Sequence, residues 1–166
     1  MPEKETVKRA KKAAREGKAP STQAGEFVRE EIDHVREGKH GARSTKQAIA
    51  IGLSKARRAG VKLPPPKEGK ASERTRVQAE RDYSKGQRST ARKTSSKRSR
   101  ATRTALKREG KQAASHSALS RQAHSSARSR GPADRKRAAR KAVRTKGHAG
   151  LKRAAQKAAR TRVRNR

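Results

Sequence analysis

The sequence predicts a mainly α-helical protein with a small N-terminal helical hairpin and a long, largely disordered basic tail that contains short helix-forming repeats. Three observations support this fold class. Only 28% of the 166 residues are hydrophobic and 1% are aromatic, which is too little to fill one large core. The net charge is +35, and residues 84–166 carry +26 of it, with 28 Lys and Arg against 2 Asp and Glu. Helical periodicity appears in residues 21–60 and returns in short basic repeats near the C-terminus.

Residues 1–20 form a basic segment in which residues 3–16 predict a short helix. Glu3 and Glu5 lie at its N-terminus, where the helix dipole favours negative charge, and Gly17 ends it. The apolar side of this helix is mostly alanine, so we expect it to fray.

Residues 21–63 predict a helical hairpin module. Its first helix begins at a cap on Ser21 or Thr22 and runs to Glu37, and Gly38 follows in the left-handed conformation. A short loop then favours an antiparallel second helix. At about 40 residues, the module is smaller than most domains that fold without a metal or disulfide.

The second helix of the hairpin begins at a capping box, Ser44–Gln47, and ends at Gly60 before the prolines at 64–66. Each helix has one apolar face at helical spacing. Together these faces predict a hairpin core of Phe27, Val28, Ile32, Val35, Ile49, Gly52, Leu53 and Ala56. The opposite face of the first helix is acidic and contains Glu26, Glu30, Asp33 and Glu37.

Residues 64–114 predict a linker with weak helices. A weak helical segment at 72–83 precedes a Ser, Thr, Arg and Lys-rich stretch at 84–100 that has no periodicity, and a further short helix is expected at 102–109. The composition of the stretch at 84–100 is typical of a flexible linker.

Residues 115–166 form an Ala, Arg and Lys-rich tail with three units of sixteen residues. The units at 131–146 and 147–162 agree at ten of sixteen positions, and the unit at 115–130 matches the last one at seven. In the second and third units most basic residues fall in one helical arc of about 140°, with alanines opposite. We expect each unit to become helical when phosphates neutralise its charge and to act as one phosphate clamp.

Glycine and proline divide the tail into pieces at Gly131, Pro132, Gly147 and Gly150. The predicted nucleic-acid-binding residues are Arg121, Arg128, Arg130, Arg135, Lys136, Arg137, Arg140, Lys141, Arg144, Lys146, Lys152, Arg153, Lys157, Arg160, Arg162, Arg164 and Arg166.

A polycation of this density indicates a polyanionic partner, because each neutralised phosphate releases counterions. We predict a cytoplasmic, nucleoid-associated protein that binds the backbone of double-stranded DNA without sequence preference and compacts it. The scarcity of aromatic residues disfavours base stacking. Two alternatives stay open. One is an RNA-binding or ribosome-associated basic factor, and the other is an adaptor that binds a protein partner through residues 21–60 while the tail localises it.

Several classes of function are disfavoured. The repeats contain no nucleophile beside a base, so we predict no enzyme and no cofactor. There is no cysteine, and no apolar stretch has the length of a membrane span. The histidines show no i,i+4 pair and no glutamate at the spacing of a known metal motif, so no metal site is predicted at His34, His40, His116, His124 or His148.

Residues 45–60, TKQAIAIGLSKARRAG, preceded by HVREGKHGARS at 34–44, resemble a family of small, basic, uncharacterised bacterial proteins that are described as DNA-binding. The resemblance extends over residues 21–66. It implies a bacterial origin and a helical hairpin, and it assigns no site residues. The tail is similar in composition to linker-histone-like bacterial proteins.

Overall fold

The computed structural model describes residues 2–88 and 95–164, and these residues are mainly helical. The chain divides into two compact units, Met1–Gln122 and Ala123–Arg166, with the boundary inside one helix. The helices are α1 (Lys4–Arg15), α2 (Pro20–Glu37), α3 (Thr45–Arg58), α4 (Glu73–Gln87), α5 (Ser96–Lys107), α6 (His116–Ser129) and α7 (Pro132–Arg164), with a 3-10 turn at Gln112–Ala114 between α5 and α6.

The predicted fold class is wrong in two respects. The hairpin of α2 and α3 is not a separate module, because α1, α4 and the 3-10 turn all pack against it. The tail is not disordered, since α6 and α7 extend through nearly all of its described residues. The structure therefore has several packed helices and further exposed helices. It does not have the predicted combination of a small hairpin and a disordered tail.

Helices α2 and α3 pack antiparallel, with Val35 near Ala48 at one end and Phe27 near Ala56 at the other. Gly38 after α2 has φ +79°, and the Ser44 hydroxyl accepts a hydrogen bond from the Gln47 amide at 3.2 Å. Both features were predicted. Of the predicted hairpin core, Phe27, Ile32, Val35, Gly52 and Ala56 are buried, whereas Val28, Ile49 and Leu53 are half-buried.

Alanines from outside the hairpin complete its core. Ala10 of α1 packs with Phe27 in one cluster, and Ala113 and Ala114 pack with Val35 in another. Helix α1 is a packed helix, because it contributes buried residues to this core. The prediction that α1 frays considered only its own sequence and did not include these contacts. A composition with few large apolar residues still forms a core here because small side chains let helices approach closely.

The last turn of α5 and the residues that follow it contact the loop between α2 and α3. The amide of Gly41 donates to the Leu106 carbonyl at 2.9 Å, and the amide of Ala42 donates to the Gly110 carbonyl at 3.1 Å. A Cβ at Gly41 would overlap the backbone of Glu109, so this contact requires glycine. The predicted linker at 64–114 therefore contains a part that docks on the hairpin.

Helix α4 also belongs to the packed unit and is not part of a linker. The Ser54 hydroxyl of α3 donates to the carboxylate of Asp82 at 2.6 Å, and Asp82 also pairs with Arg58 at 3.6 Å. Ala79 is buried on the same helix. Helix α4 continues into the predicted flexible stretch at 84–100, part of which, residues 89–94, lies outside the described residues.

The first turn of α2 differs from the prediction. The N-cap is Ala19, without a side-chain cap, and Pro20 occupies the first helical turn, so Ser21 and Thr22 lie inside the helix. Proline is favoured at this position because its fixed φ suits a helix and its missing N–H would have no intrahelical partner.

Helix α7 has two helical halves that meet at Gly147, whose φ of +64° and ψ of 173° are not helical. The predicted breaks at Gly131, Pro132 and Gly147 are confirmed, whereas the helix continues through Gly150. No residue of α7 is buried. The prediction of disorder relied on the lack of a core, but Ala, Lys and Arg have high intrinsic helix propensity, which does not require burial.

Helices α2 and α3 approach each other closely at Gly52. A Cβ at Gly52 would lie 2.6 Å from the Val28 Cα, so Gly52→Ala must push the helices apart. We expect a loss of about 1–3 kcal/mol in unfolding free energy, although alanine improves helix propensity by about 1 kcal/mol. Urea unfolding followed by circular dichroism measures this change.

Gly25→Ala is the matched control, because Gly25 lies on α2 with nothing within 4 Å of an added Cβ. This variant should be as stable as the parent chain or more stable, by up to about 1 kcal/mol. Equal effects of the two substitutions would contradict the packing described here.

Candidate functional site

The predicted nucleic-acid-binding residues lie on α6, on α7 and in the turn between these helices. All sixteen of them that the structure describes, Arg121 to Arg164, are exposed, and Arg166 lies outside the described residues. Asp134 is the one acidic residue of 115–166, and it pairs with Arg137. These exposed side chains present almost unopposed positive charge to solvent.

The helical conformation of residues 132–146 brings most of these side chains onto one face. Five of them share an arc of about 140° around the helix axis. At 1.5 Å per residue, the arc extends for about 12 Å along the helix. We call this face the first basic arc, and its members are Lys136, Arg137, Arg140, Lys141 and Arg144.

Residues 148–164 repeat the arrangement as a second basic arc, formed by Lys152, Arg153, Lys157, Arg160 and Arg164. On α6, Arg121 and Arg128 are seven residues apart and share a face. Arg135, Lys146 and Arg162 lie outside the two arcs, on the alanine side of their helical segments. The helix geometry therefore groups most of the predicted residues, and leaves these three apart.

The packed unit contains a second concentration of charge, and this one is buried. Glu30 and Glu31 of α2 are 4% and 0% exposed, and Lys55 of α3 lies between them. The Lys55 ammonium is 3.3 Å from a Glu30 oxygen and 2.6 Å from Glu31 Oε2. Glu30 also accepts a hydrogen bond from the Glu3 amide at 3.1 Å. Glu30 was expected on the exposed acidic face, but it points into this contact between α1, α2 and α3.

Two histidines lie beside the buried carboxylate of Glu31. His40 Nε2 is 3.2 Å from Glu31 Oε1, and His34 packs edge-on against His40 with ring centroids 5.9 Å apart. His34 Nε2 is 2.9 Å from a carboxylate oxygen of Glu3. This hydrogen bond, and a second from Lys39, hold the pKa of the exposed Glu3 carboxyl below its ordinary value.

The sequence analysis did not group His34 with His40, but the fold brings their rings into contact. The i,i+3 spacing of Glu31 and His34 was the local signal, because it places both on one face of α2. No local pattern indicated His40, which lies beyond the end of that helix and returns to it through the turn at Gly38.

Residues 3–68 match the model of DUF6496, a family of unknown function. The matched part includes α1, α2, α3 and the buried charges, whereas both basic arcs lie outside it. No curated protein and no solved structure matches the chain. In the described part of the chain, no helix has the length and apolar character needed to cross a membrane.

The buried charges generate the second prediction. Lys55→Met removes the cation shared by two buried carboxylates, and the loss of one partner of a buried pair costs about 3–5 kcal/mol. We expect a large fall in the urea midpoint, or a chain that does not fold. Adding Glu31→Gln to Lys55→Met should recover part of the loss, because it removes one of the unpaired charges.

Lys46→Met provides the control, since Lys46 is exposed on the same helix. It should change the midpoint little. If Lys55→Met were as stable as Lys46→Met, the buried ion pairs would not contribute to the packing of α1, α2 and α3.

Proposed function

We propose that this protein binds double-stranded DNA through α6 and α7, by contacts to the phosphate backbone and without sequence preference, and that its role is nucleoid association or DNA compaction. The observation that carries the proposal is the exposure of sixteen basic side chains on these helices and the turn between them, with one acidic residue among them. Residues 21–66 resemble bacterial proteins described as DNA-binding, but the family matched by residues 3–68 is of unknown function, so the charge and exposure of α6 and α7 are the support for the proposal.

The physical basis of binding is the release of counterions from the duplex. B-DNA carries about one negative charge per 1.7 Å of axis, and each contact that neutralises a phosphate adds about 0.9 to the salt dependence of log affinity. An arc with five basic side chains over about 12 Å of helix has a charge density comparable to that of the duplex. Because the arcs are already helical, binding does not need to supply the free energy of helix formation. From the sequence, we expected each sixteen-residue unit to become helical only when it binds phosphates. This part of the expected clamp mechanism is wrong, because α6 and α7 are helical without DNA.

Two features favour duplex DNA over the alternative partners. An α-helix is about 10–12 Å in diameter and fits the major groove of B-DNA, which is about 12 Å wide, whereas the major groove of duplex RNA is deep and narrow. The aromatic residues are Phe27, which is buried, and Tyr83, which lies on α4, so neither lies on α6 or α7 as a platform for unpaired bases. An adaptor function is less favoured because α1, α4 and the 3-10 turn already pack against the hairpin.

The third prediction tests the first basic arc in the full-length chain. We replace its five basic residues with glutamine, which has similar helix propensity, and measure duplex binding by fluorescence anisotropy between 50 and 300 mM salt. If two to five of these residues contact phosphates, the slope of log affinity against log salt should flatten by about 2–5. Affinity should fall equally for duplexes of unrelated sequence, because phosphate contacts do not distinguish bases.

The control variant loses the same net charge from five exposed lysines elsewhere: Lys11, Lys12, Lys62, Lys67 and Lys70. It should retain most of the parent slope. Equal flattening in both variants would mean that total charge, and not the arc, determines binding. Tighter binding to duplex RNA of the same sequence would favour the RNA-binding alternative, and no binding to either duplex would contradict the proposal.

A further inference from the structure

Three side chains with metal-binding atoms meet at the C-terminal end of α2. Glu31 and His34 lie one turn apart on this helix, and Gly38 reverses the chain so that His40 returns to them. One donor atom from each of the three residues lies within 4.8 Å of the others. It is the one group of this kind found among residues 2–88 and 95–164.

Glu31 is a buried carboxylate whose hydrogen-bonding capacity is not used. It is 0% exposed, and neither oxygen accepts a hydrogen bond from the described residues. Lys55 is within ion-pair distance of Oε2, at 2.6 Å, but does not form a hydrogen bond with it. The other oxygen, Oε1, faces His40. A buried carboxylate in this condition is costly unless a further positive group coordinates it.

In each of the two imidazoles, one ring nitrogen is paired with an oxygen atom, as in most metal-binding histidines. His40 Nδ1 lies 3.0 Å from the Gly41 carbonyl, which can only accept, so the proton lies on Nδ1. In the neutral ring, the lone pair of Nε2 then faces Glu31 Oε1. His34 Nε2 is paired with the Glu3 carboxylate in the same way, which leaves the lone pair on Nδ1. Carboxylate and carbonyl partners of this kind fix the tautomer of metal-binding histidines.

The charge around this cluster suits a cation, although the chain as a whole carries +35. The groups that ion pairs and hydrogen bonds connect to it are four carboxylates and two ammonium groups, a net of −2 with neutral imidazoles. These groups are Glu3, Glu30, Glu31, Glu37, Lys39 and Lys55. The ammonium of Lys111, which lies against Gly38, reduces the local charge to −1.

We propose that Glu31, His34 and His40 bind a divalent transition metal of the zinc class, through one carboxylate oxygen and one nitrogen of each ring. Zinc prefers this ligand set at about 2.0–2.2 Å, so tetrahedral ligands lie about 3.4 Å apart. The 3.2 Å between His40 Nε2 and Glu31 Oε1 already fits this spacing. The donor atoms lie within 4.8 Å of one another, so side-chain rotation would have to shorten the longest separation by at most about 1.4 Å.

The metal would connect α2 to the turn that follows it and, through Glu3, to α1. The packed unit has a core made largely of alanines, and a metal is a common means of stabilising a unit with little apolar burial. This site is independent of the proposed DNA-binding surface, because none of its residues lies on α6 or α7.

Isothermal titration of the full, untagged chain with Zn²⁺, after removal of metals by a chelator, tests the proposal. We expect one Zn²⁺ per chain and a higher melting temperature in its presence, because a ligand that binds the folded state stabilises it. His34→Gln and His40→Gln should each weaken binding at least about tenfold. A control chain with His116→Gln, His124→Gln and His148→Gln should bind as the parent does.

A second measurement does not depend on the folding of a variant. In the parent chain labelled with ¹⁵N-histidine, stoichiometric Zn²⁺ should shift the imidazole nitrogens of two histidines, assigned as His34 and His40, and leave the other three unchanged. The proposal would be overturned by the absence of saturable binding, which would leave the cluster as an ion-pair network. Shifts confined to His116, His124 and His148 would also overturn it.

Discussion

The contact of Lys55 with Glu30 and Glu31 is the interaction on which the packed unit depends. It joins α3 to α2 through ion pairs at 3.3 and 2.6 Å, and Glu30 extends it to the backbone of α1. Two buried carboxylates would be unfavourable without this cation. Along α2, Phe27 of one apolar cluster precedes these charges and Val35 of the other follows them, and the clusters contain one buried aromatic residue, Phe27. With so few large apolar side chains, the unit relies on close backbone approach and on paired buried charges to hold its helices together.

Local sequence features predicted the parts of the fold that depend on neighbouring residues. The C-terminal end of α2 at the left-handed Gly38, the start of α3 at the Ser44 cap, and the glycines that follow α1 and α3 all reflect short-range chemistry, whereas the start of α2 at Pro20 was not predicted. The partners of α1, α4 and the 3-10 turn could not be predicted in this way. They depend on contacts such as that of Thr45 with the Ala113 carbonyl, which joins residues 68 positions apart.

The tail illustrates a different limit of sequence interpretation. The lack of core residues predicts disorder, but the absence of a core and the absence of a helix are separate properties. Alanine, lysine and arginine lose little side-chain entropy in a helix, so α7 forms without buried residues. The candidate binding residues are the same whether the tail is disordered or helical, because charged side chains stay exposed in both cases. Their grouping into two arcs depends on the helix geometry that the sequence pattern had already indicated.

The basic residues proposed to bind DNA are exposed on α6 and α7, outside the buried core of α1, α2 and α3. Amide hydrogen exchange of the full protein, with and without a DNA duplex, tests this arrangement. In the free protein, amides of α2 and α3 should exchange more slowly than those of α6 and α7, because α2 and α3 are packed in the core. Addition of the duplex should slow exchange in α6 and α7 and leave α2 and α3 nearly unchanged. Protection confined to α1, α2 and α3 would contradict this division of the molecule.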